Sequence, residues 1–403
     1  MTNQQNRTLG AFEKTFWLLD QIDSKDFALA AEIEGVVPIE AWRQAIIKVQ
    51  ERHPNLSVRI VMDGFSRPIL ETVEGAEIPF RVVYAHDDYR WTQEVERELS
   101  IRFDTEQAPL IRVVLVQKPG STVLIIVAHH AIADGTAVSY LVRDILQAAT
   151  GKVLSPMEPQ KSNDETLGFP EALPKDTAEP APVLSGESKT FEPKISTIRF
   201  PEELTQKIIS RARYEETTVH GALCAAVLIA SRAMRDEWAD RKIEMITPIC
   251  SRKALNLDDN FGLNITTHPV YFEAEQHLPF WELARLAKEG LAGTDTAEHV
   301  RNYLAYFRQL TFDMPSLNQM LDVLKEAFNH EIMVTNIGRL KYSTDYGDLQ
   351  LKALYGPMVR SGKGMEQTIG ANCTNGFLCL TNTSDNPIEG LLEKMRDILA
   401  AAC

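Results

Sequence analysis

The segment Val123-Leu-Ile-Ile-Val-Ala-His129-His130-Ala-Ile-Ala-Asp134-Gly135 holds the densest set of chemically capable side chains in the sequence. It reads as an apolar strand that ends in two histidines and turns through Asp-Gly into a helix. Strand side chains alternate, so His129 and His130 point to opposite sides. One imidazole can then face a cavity while the other supports the loop. A histidine whose tautomer and orientation are fixed by its neighbours suits general-base work near neutral pH. Backbone N–H groups near Gly135 could meet a developing oxyanion. Two plainer roles compete with this reading. Both histidines could be structural, with Asp134 serving only to cap the helix. Metal binding is disfavoured, because the two histidines diverge and the segment offers no third ligand.

The elements that position this segment can be read from periodicity. Ala11 to Asp20 is an amphipathic helix, and Pro38 opens another through Ile39, Trp42, Ile46 and Val49. Strands are expected at Ser57–Met62, Ile69–Val73 and Pro79–Tyr84, and a charged helix at Tyr89–Ile101. Pro109–Gln117 and Thr122–Ala128 form a hairpin around Pro119-Gly120. A helix from Thr136 to Ala149 follows. The proline-rich, acidic stretch 151–193 reads as a linker or crossover between domains at 1–150 and 194–403. Beyond it, strands are expected at Ile195–Phe200, Ile243–Thr247, Ile265–Phe272, Glu331–Thr335, Leu349–Leu354 and Gly376–Thr381. Helices fall at Glu202–Tyr214, Thr218–Met234, within Pro279–Phe328 and at Ile388–Ala401, with His220 read as a surface or capping residue. Strands and helices mix without regular βαβ alternation, which gives two α+β domains.

The chain has 403 residues, 44% hydrophobic and 24% charged, normal for a globular protein of two domains. Its formal net charge of −14 argues against nucleic acid or an anionic membrane as the main partner. Five cysteines without a Cys-x-x-Cys pair point to a reducing compartment. The first residues lack the apolar core of a signal peptide, and the longest apolar run, Gly221 to Ala230, is far short of the ~20 residues that span a bilayer. The expectation is a cytoplasmic protein with no membrane span.

His129-His130-x-x-x-Asp134-Gly135 resembles the signature of the CoA-dependent acyltransferase superfamily. That group includes chloramphenicol acetyltransferases, nonribosomal-peptide condensation domains, plant alcohol acyltransferases and polyketide-associated acyltransferases. Further segments are similar to the family in the same order. They are Arg52-His53-Pro54-Asn55-Leu56, Phe103-Asp104 with Pro109-Leu110-Ile111-Arg112, Thr247-Pro-Ile-Cys-Ser-Arg252, Asp259-Asn260-Phe261-Gly262, and Val334-Thr335-Asn336-Ile337-Gly338. The resemblance implies two chloramphenicol acetyltransferase-like α+β domains forming a V, with a tunnel at their interface. It implies that His130 is the general base, that His129 is supportive, and that Asp134 is structural and paired with an arginine from the other domain, for which Arg252 is the candidate. Thr335 or Asn336 would contact the oxyanion or the acceptor. Asn260 and Thr335 depart from the residues common at these positions, which bears on the subfamily.

These readings lead to an acyltransferase that moves an acyl group from a CoA or carrier-protein thioester to a hydroxyl, or an amine, in natural-product or lipid biosynthesis. The CoA or phosphopantetheinyl thioester is a co-substrate, and no cofactor is permanently bound. No Ser or Cys lies in a nucleophile-elbow pattern, which favours direct transfer over an acyl-enzyme. A free-standing condensation enzyme forming an amide is the nearest rival. A non-catalytic docking module of the same fold is the second. A monomer is expected. The Gly-rich run Ser361-Gly-Lys363-Gly364 with Gly370 lacks the spacing of a phosphate loop, although Lys363 is a candidate for a CoA phosphate.

Overall fold

The computed structural model describes residues 6–64, 67–171, 192–274, 278–313, 317–361 and 364–403. Much of the expected linker (172–191) and Lys363 lie outside the described residues.

The strand Ser121–His129 is the spine of the first sheet, and all but its first residue are buried. A run of Val, Leu and Ile with no polar alternation is what a strand covered by other layers requires. It pairs antiparallel with Asp26–Glu34 on one side and Ile111–Lys118 on the other. The second pairing is the hairpin expected around Pro119-Gly120. Phe80–Tyr84 adds in parallel beyond Ile111–Lys118. The helices Gly135–Ala149 and Thr92–Leu99 pack on this sheet, and Ile39–Arg52 packs on Gly135–Ala149.

The fifth strand of this sheet comes from far along the chain. Gln350–Val359 pairs antiparallel with Asp26–Glu34, so the order is Gln350–Val359, Asp26–Glu34, Ser121–His129, Ile111–Lys118, Phe80–Tyr84. The sequence therefore does not divide cleanly at 151–193: one strand of the later half completes the sheet of the earlier half. Ala297–Arg308 and Leu317–Ala327 likewise pack on Ala11–Asp20, with Phe12 edge-on to Tyr303 and Phe307 at centroid distances of 5.2 and 5.1 Å.

The second sheet has six strands in the order Ile265–Phe272, Ile243–Cys250, Ile332–Arg339, Gln367–Thr374, Phe377–Ser384, Lys194–Arg199. Its core is filled by Val219–Met234, which packs against Phe280–Gly290 and Leu391–Ala402. The apolar run Gly221–Ala230 is part of it. A small sheet of Arg7–Thr8, Pro68–Thr72 and Val58–Met62 completes the strands. The chain is thus mixed α+β with two sheet-rich halves.

One irregularity of the second sheet opens the site. Ile332–Arg339 runs parallel to Ile243–Cys250 but pairs with it only at Ile332–Met245 and Met333–Ile246. Beyond that point the strands separate. Pro248 has no N–H to donate to a ladder, and Ile332–Arg339 bulges between Asn336 and Gly338. The residues past the split, Pro248 and Cys250 on one strand and Thr335, Asn336 and Ile337 on the other, line a cavity.

Candidate active site

The two histidines diverge at the end of their strand. His130 faces a cavity of about 850 Å³ whose walls come from both halves. Phe16, Leu19, Gly135 and Thr136 line it from one side, and Ile265, Thr267, Met333 and Thr335 from the other. The His130 Nδ1 lies 3.0 Å from the Ala133 carbonyl oxygen. A carbonyl only accepts, so Nδ1 carries the proton and Nε2 is left with a free lone pair. The His130 N–H donates to Lys25 O at 2.9 Å and fixes the backbone. Phe16 stacks on the ring at 4.2 Å with an interplanar angle of 13°, and Phe27 approaches at 4.6 Å. Burial in this apolar slot lowers the His130 pKa to about 4. The imidazole is therefore neutral at physiological pH, with its basic nitrogen unencumbered.

His129 turns the other way, into the protein. Its Nδ1 accepts from the Ala131 N–H at 3.1 Å, which places the ring proton on Nε2, 3.5 Å from Asp20 Oδ1. Burial pulls its pKa down, but the charges of Asp20 and Asp26 outweigh this and hold it above the ordinary histidine value. Asp26 is fully buried beside it and accepts from Ser24 Oγ at 2.7 Å. Burial raises the Asp26 pKa to about 6. Asp20, Asp26 and His129 offer ligand atoms within 4.8 Å of one another. With the ring proton on Nε2, where a metal would bind, the trio suits proton sharing better than metal ligation. The sequence segment alone offered no such partners for His129. They come from the preceding helix and from a strand with no alternating pattern.

Asp134 does both things that the sequence left open. It is the N-cap of Gly135–Ala149, where its Oδ1 accepts from the Ala137 N–H at 2.9 Å. It also pairs with Arg252 at 2.8 Å and accepts from the Asn264 N–H at 2.7 Å. Arg252 follows Ile243–Cys250, and its guanidinium donates further to Gly262 O at 3.1 Å. Both partners are buried. This ion pair ties the histidine loop to the opposite half of the molecule. The cap uses the Ala137 N–H and leaves the first-turn N–H groups of Gly135 and Thr136 beside the cavity. Gly135 is required by the strand from the later half, because an added Cβ would lie 2.3 Å from Pro357 Cγ.

Thr335 and Asn336 reach the same cavity from across the split. Asn336 Oδ1 accepts from the Gly338 N–H at 2.8 Å, which leaves its amide NH2 as the group able to donate. Other expected features fall outside the site. His53 and Arg52 both bind Asp144, at 2.8 and 2.9 Å, and so anchor Ile39–Arg52 to Gly135–Ala149. Asp259 pairs with Arg143 at 2.5 Å, and Phe261 O accepts from Asn55 at 3.1 Å. His220 does not cap its helix, because Thr218 does; His220 is half-buried, with Nε2 3.1 Å from Thr247 Oγ1. Gly370 sits in a strand rather than a phosphate loop, with Pro357 O 2.3 Å from where a Cβ would be.

Residues 17–166 match the family model of the condensation domain. Over that stretch, a little over a third of its length, the chain is similar to condensation domains. Among curated relatives, bacitracin synthase 2 of Bacillus licheniformis is 25% identical over 82% of this chain and 13% of its own length. The chain thus spans about an eighth of the length of this synthase. Among solved structures, the first condensation domain of the calcium-dependent antibiotic synthetase, in complex with a substrate analogue, aligns over 99% of this chain and 97% of that one. Its TM-score is 0.71 at 16% identity. F. graminearum TRI101, complexed with coenzyme A and T-2 mycotoxin, aligns over 97% of this chain and 96% of that one, with a TM-score of 0.66 at 13% identity. The mixed α+β fold with two sheet-rich halves expected from the resemblance is the fold of these structures. No single helix among the described residues is long and apolar enough to cross a membrane.

Proposed function

We propose that the protein transfers an acyl group from a thioester to a hydroxyl or amine acceptor, with His130 as general base. The observation that carries this reading is the free Nε2 of a neutral imidazole, fixed by Ala133 O and aimed into a cavity walled by both halves. In this mechanism Nε2 takes the proton of the acceptor as its oxygen or nitrogen attacks the thioester carbonyl. The tetrahedral oxyanion accepts hydrogen bonds from the first-turn N–H groups or from Asn336, and Thr335 contacts the acceptor. Collapse breaks the C–S bond, and the imidazolium returns its proton to the departing thiolate. His129 and the Asp134–Arg252 pair hold the loop and do not touch the reacting atoms, and Gly135 supports the corner while offering only its backbone N–H.

The Pro-Leu-Ile-Arg and Thr-Asn-Ile-Gly segments support a hydroxyl acceptor. Amide formation from carrier-bound substrates is supported equally, by the similarity to peptide synthases. The donor is a CoA or carrier-protein thioester, and the halves act as two domains about 1–150 and 194–403 that share the strand Gln350–Val359.

The test is thiol release from a panel of acyl-CoAs and acyl carrier proteins, with mixed alcohols and amines, for wild type beside His130→Ala. An acylated product made by wild type and reduced by orders of magnitude in the variant is expected. Equal background release from both proteins would favour a docking module.

A further inference from the structure

The chamber that holds His130 is apolar over much of its wall, through Phe16, Leu19, Phe328, Met333 and Val359. Among the described residues that line it, Asp134, Lys25 and Arg360 are charged. Asp134 is spent on Arg252 and on the N–H groups of Ala137 and Asn264. The other two are cations from opposite ends of the sequence. Lys25 precedes the strand Asp26–Glu34, and Arg360 follows Gln350–Val359. They share one close carboxylate, Asp23, at 3.4 Å from Lys25 and 2.9 Å from Arg360. Asp385 lies 3.8 Å from Arg360. Neither carboxylate lines the chamber. A third acid near Lys25, Glu366, does not line it either, and burial raises its pKa to about 7, so it carries only part of its charge at neutral pH.

Both cations are withdrawn from bulk water, with side chains 12% and 6% exposed. An anion that meets them in the chamber is therefore weakly screened. The Lys25 ammonium has three donors, and Asp23 takes one of them. Ser361 adds a hydroxyl to this corner, 3.1 Å from His330 Nε2 and 3.0 Å from Thr368 Oγ1. The corner stands close to the base, because the Lys25 carbonyl accepts from the His130 N–H.

We propose that Lys25 and Arg360 bind a free carboxylate on the acceptor, so that the protein acylates an amino acid or a hydroxy acid. This rests on the acyl-transfer reading and names the class of its acceptor. An acceptor tethered to a carrier through that carboxyl would be a neutral thioester and would give the two cations nothing to pair with. The carboxylate is a spectator in the step at His130. The acceptor's amine or hydroxyl forms the new C–N or C–O bond, its proton passes to Nε2, and the C–S bond of the donor breaks. The product is an N-acyl or O-acyl acid that keeps its charge.

The experiment measures binding to the full chain by isothermal titration calorimetry, with no thioester present and hence no turnover. The probes are leucine, phenylalanine and tryptophan, the 2-hydroxy acids with the same side chains, and the methyl ester of each. Acids are expected to bind at least tenfold tighter than their esters, and the hydroxy acids remove any effect of the ester on amine basicity. Lys25→Met should erase this preference, and Lys25→Arg should keep it. The wild-type comparison of acid with ester stands whether or not a variant folds. Equal affinity of acids and esters, binding by none of the acids, or an undiminished preference in a folded Lys25→Met variant would each overturn the assignment. Transfer to a leucyl carrier protein in preference to free leucine would do so as well. Acid binding with no acyl transfer from any acyl-CoA or acyl carrier protein would count against the proposed reaction and leave the carboxylate site standing. Acyl transfer to neutral alcohols or amines with no preference for acids would do the reverse.

Discussion

A histidine with a pKa near 4 is a weak base, but it is never lost to protonation in the working range. Its imidazolium becomes affordable only as the oxyanion forms beside it, which ties proton uptake to the attack on the thioester. The sign of the pH effect follows. An ordinary histidine is half protonated near pH 6.5, whereas His130 keeps its free nitrogen down to about pH 4. The acid limb of kcat/KM should therefore lie well below 6.5 in a pH–rate profile. Phe16→Ala removes the ring stacked at 4.2 Å and admits water. This relieves the burial that depresses the pKa, so the acid limb should move upward, toward 6.5. Asp134 and Arg252 behave differently. Either one mutated alone strands a buried charge at a cost of about 3–5 kcal/mol. The double variant Asp134→Asn, Arg252→Met should lose less stability than the sum of the single variants, as read by urea unfolding.

At the scale of elements, the histidine loop is held by a strand-to-helix corner and by the strand Gln350–Val359 that leans on it. Gly135→Ala places a methyl group against Pro357. Overpacking of this kind costs about 1–3 kcal/mol. Here it also displaces the corner, so acyl transfer should fall by more than thermal stability does. Much of this arrangement was legible in the sequence. Ile39–Arg52, the hairpin and Gly135–Ala149 fall where periodicity and turn residues put them. Asp26–Glu34 was missed, because a strand buried along most of its length and rich in alanine shows no alternation. Gln367–Thr374 was missed because its buried Gln, Thr and Asn read as loop residues. At the site, the histidine motif pointed to His130 and Asp134, and the family resemblance to Arg252. Phe16, Phe27, Asp20 and Asp26 carried no signal, because what brings them to the histidines is tertiary packing.

At the scale of the whole molecule, buried titratable groups pull stability in opposite directions as pH changes. His130, His220 and His330 all have pKa values lowered by burial to about 4. They bind protons more readily when unfolded, so stability is lost as pH falls from about 6.5 toward 4. Burial raises Glu366 to about 7. It binds its proton more tightly when folded, so its contribution is lost as pH rises from its unfolded value toward 7. Glu366→Gln removes this opposing effect. Its stability relative to wild type should therefore improve steadily between pH 4.5 and 7 in denaturant titrations. The strand contributed by the later half has a separate consequence, for how the chain can be divided. A fragment ending before residue 194 would lack Gln350–Val359, leaving the apolar strand Asp26–Glu34 as a bare sheet edge. Such edges recruit other strands. The two halves made as separate polypeptides should therefore behave as a complementing pair. The first would aggregate when made alone and would become soluble only when the second is present during folding to supply the missing strand.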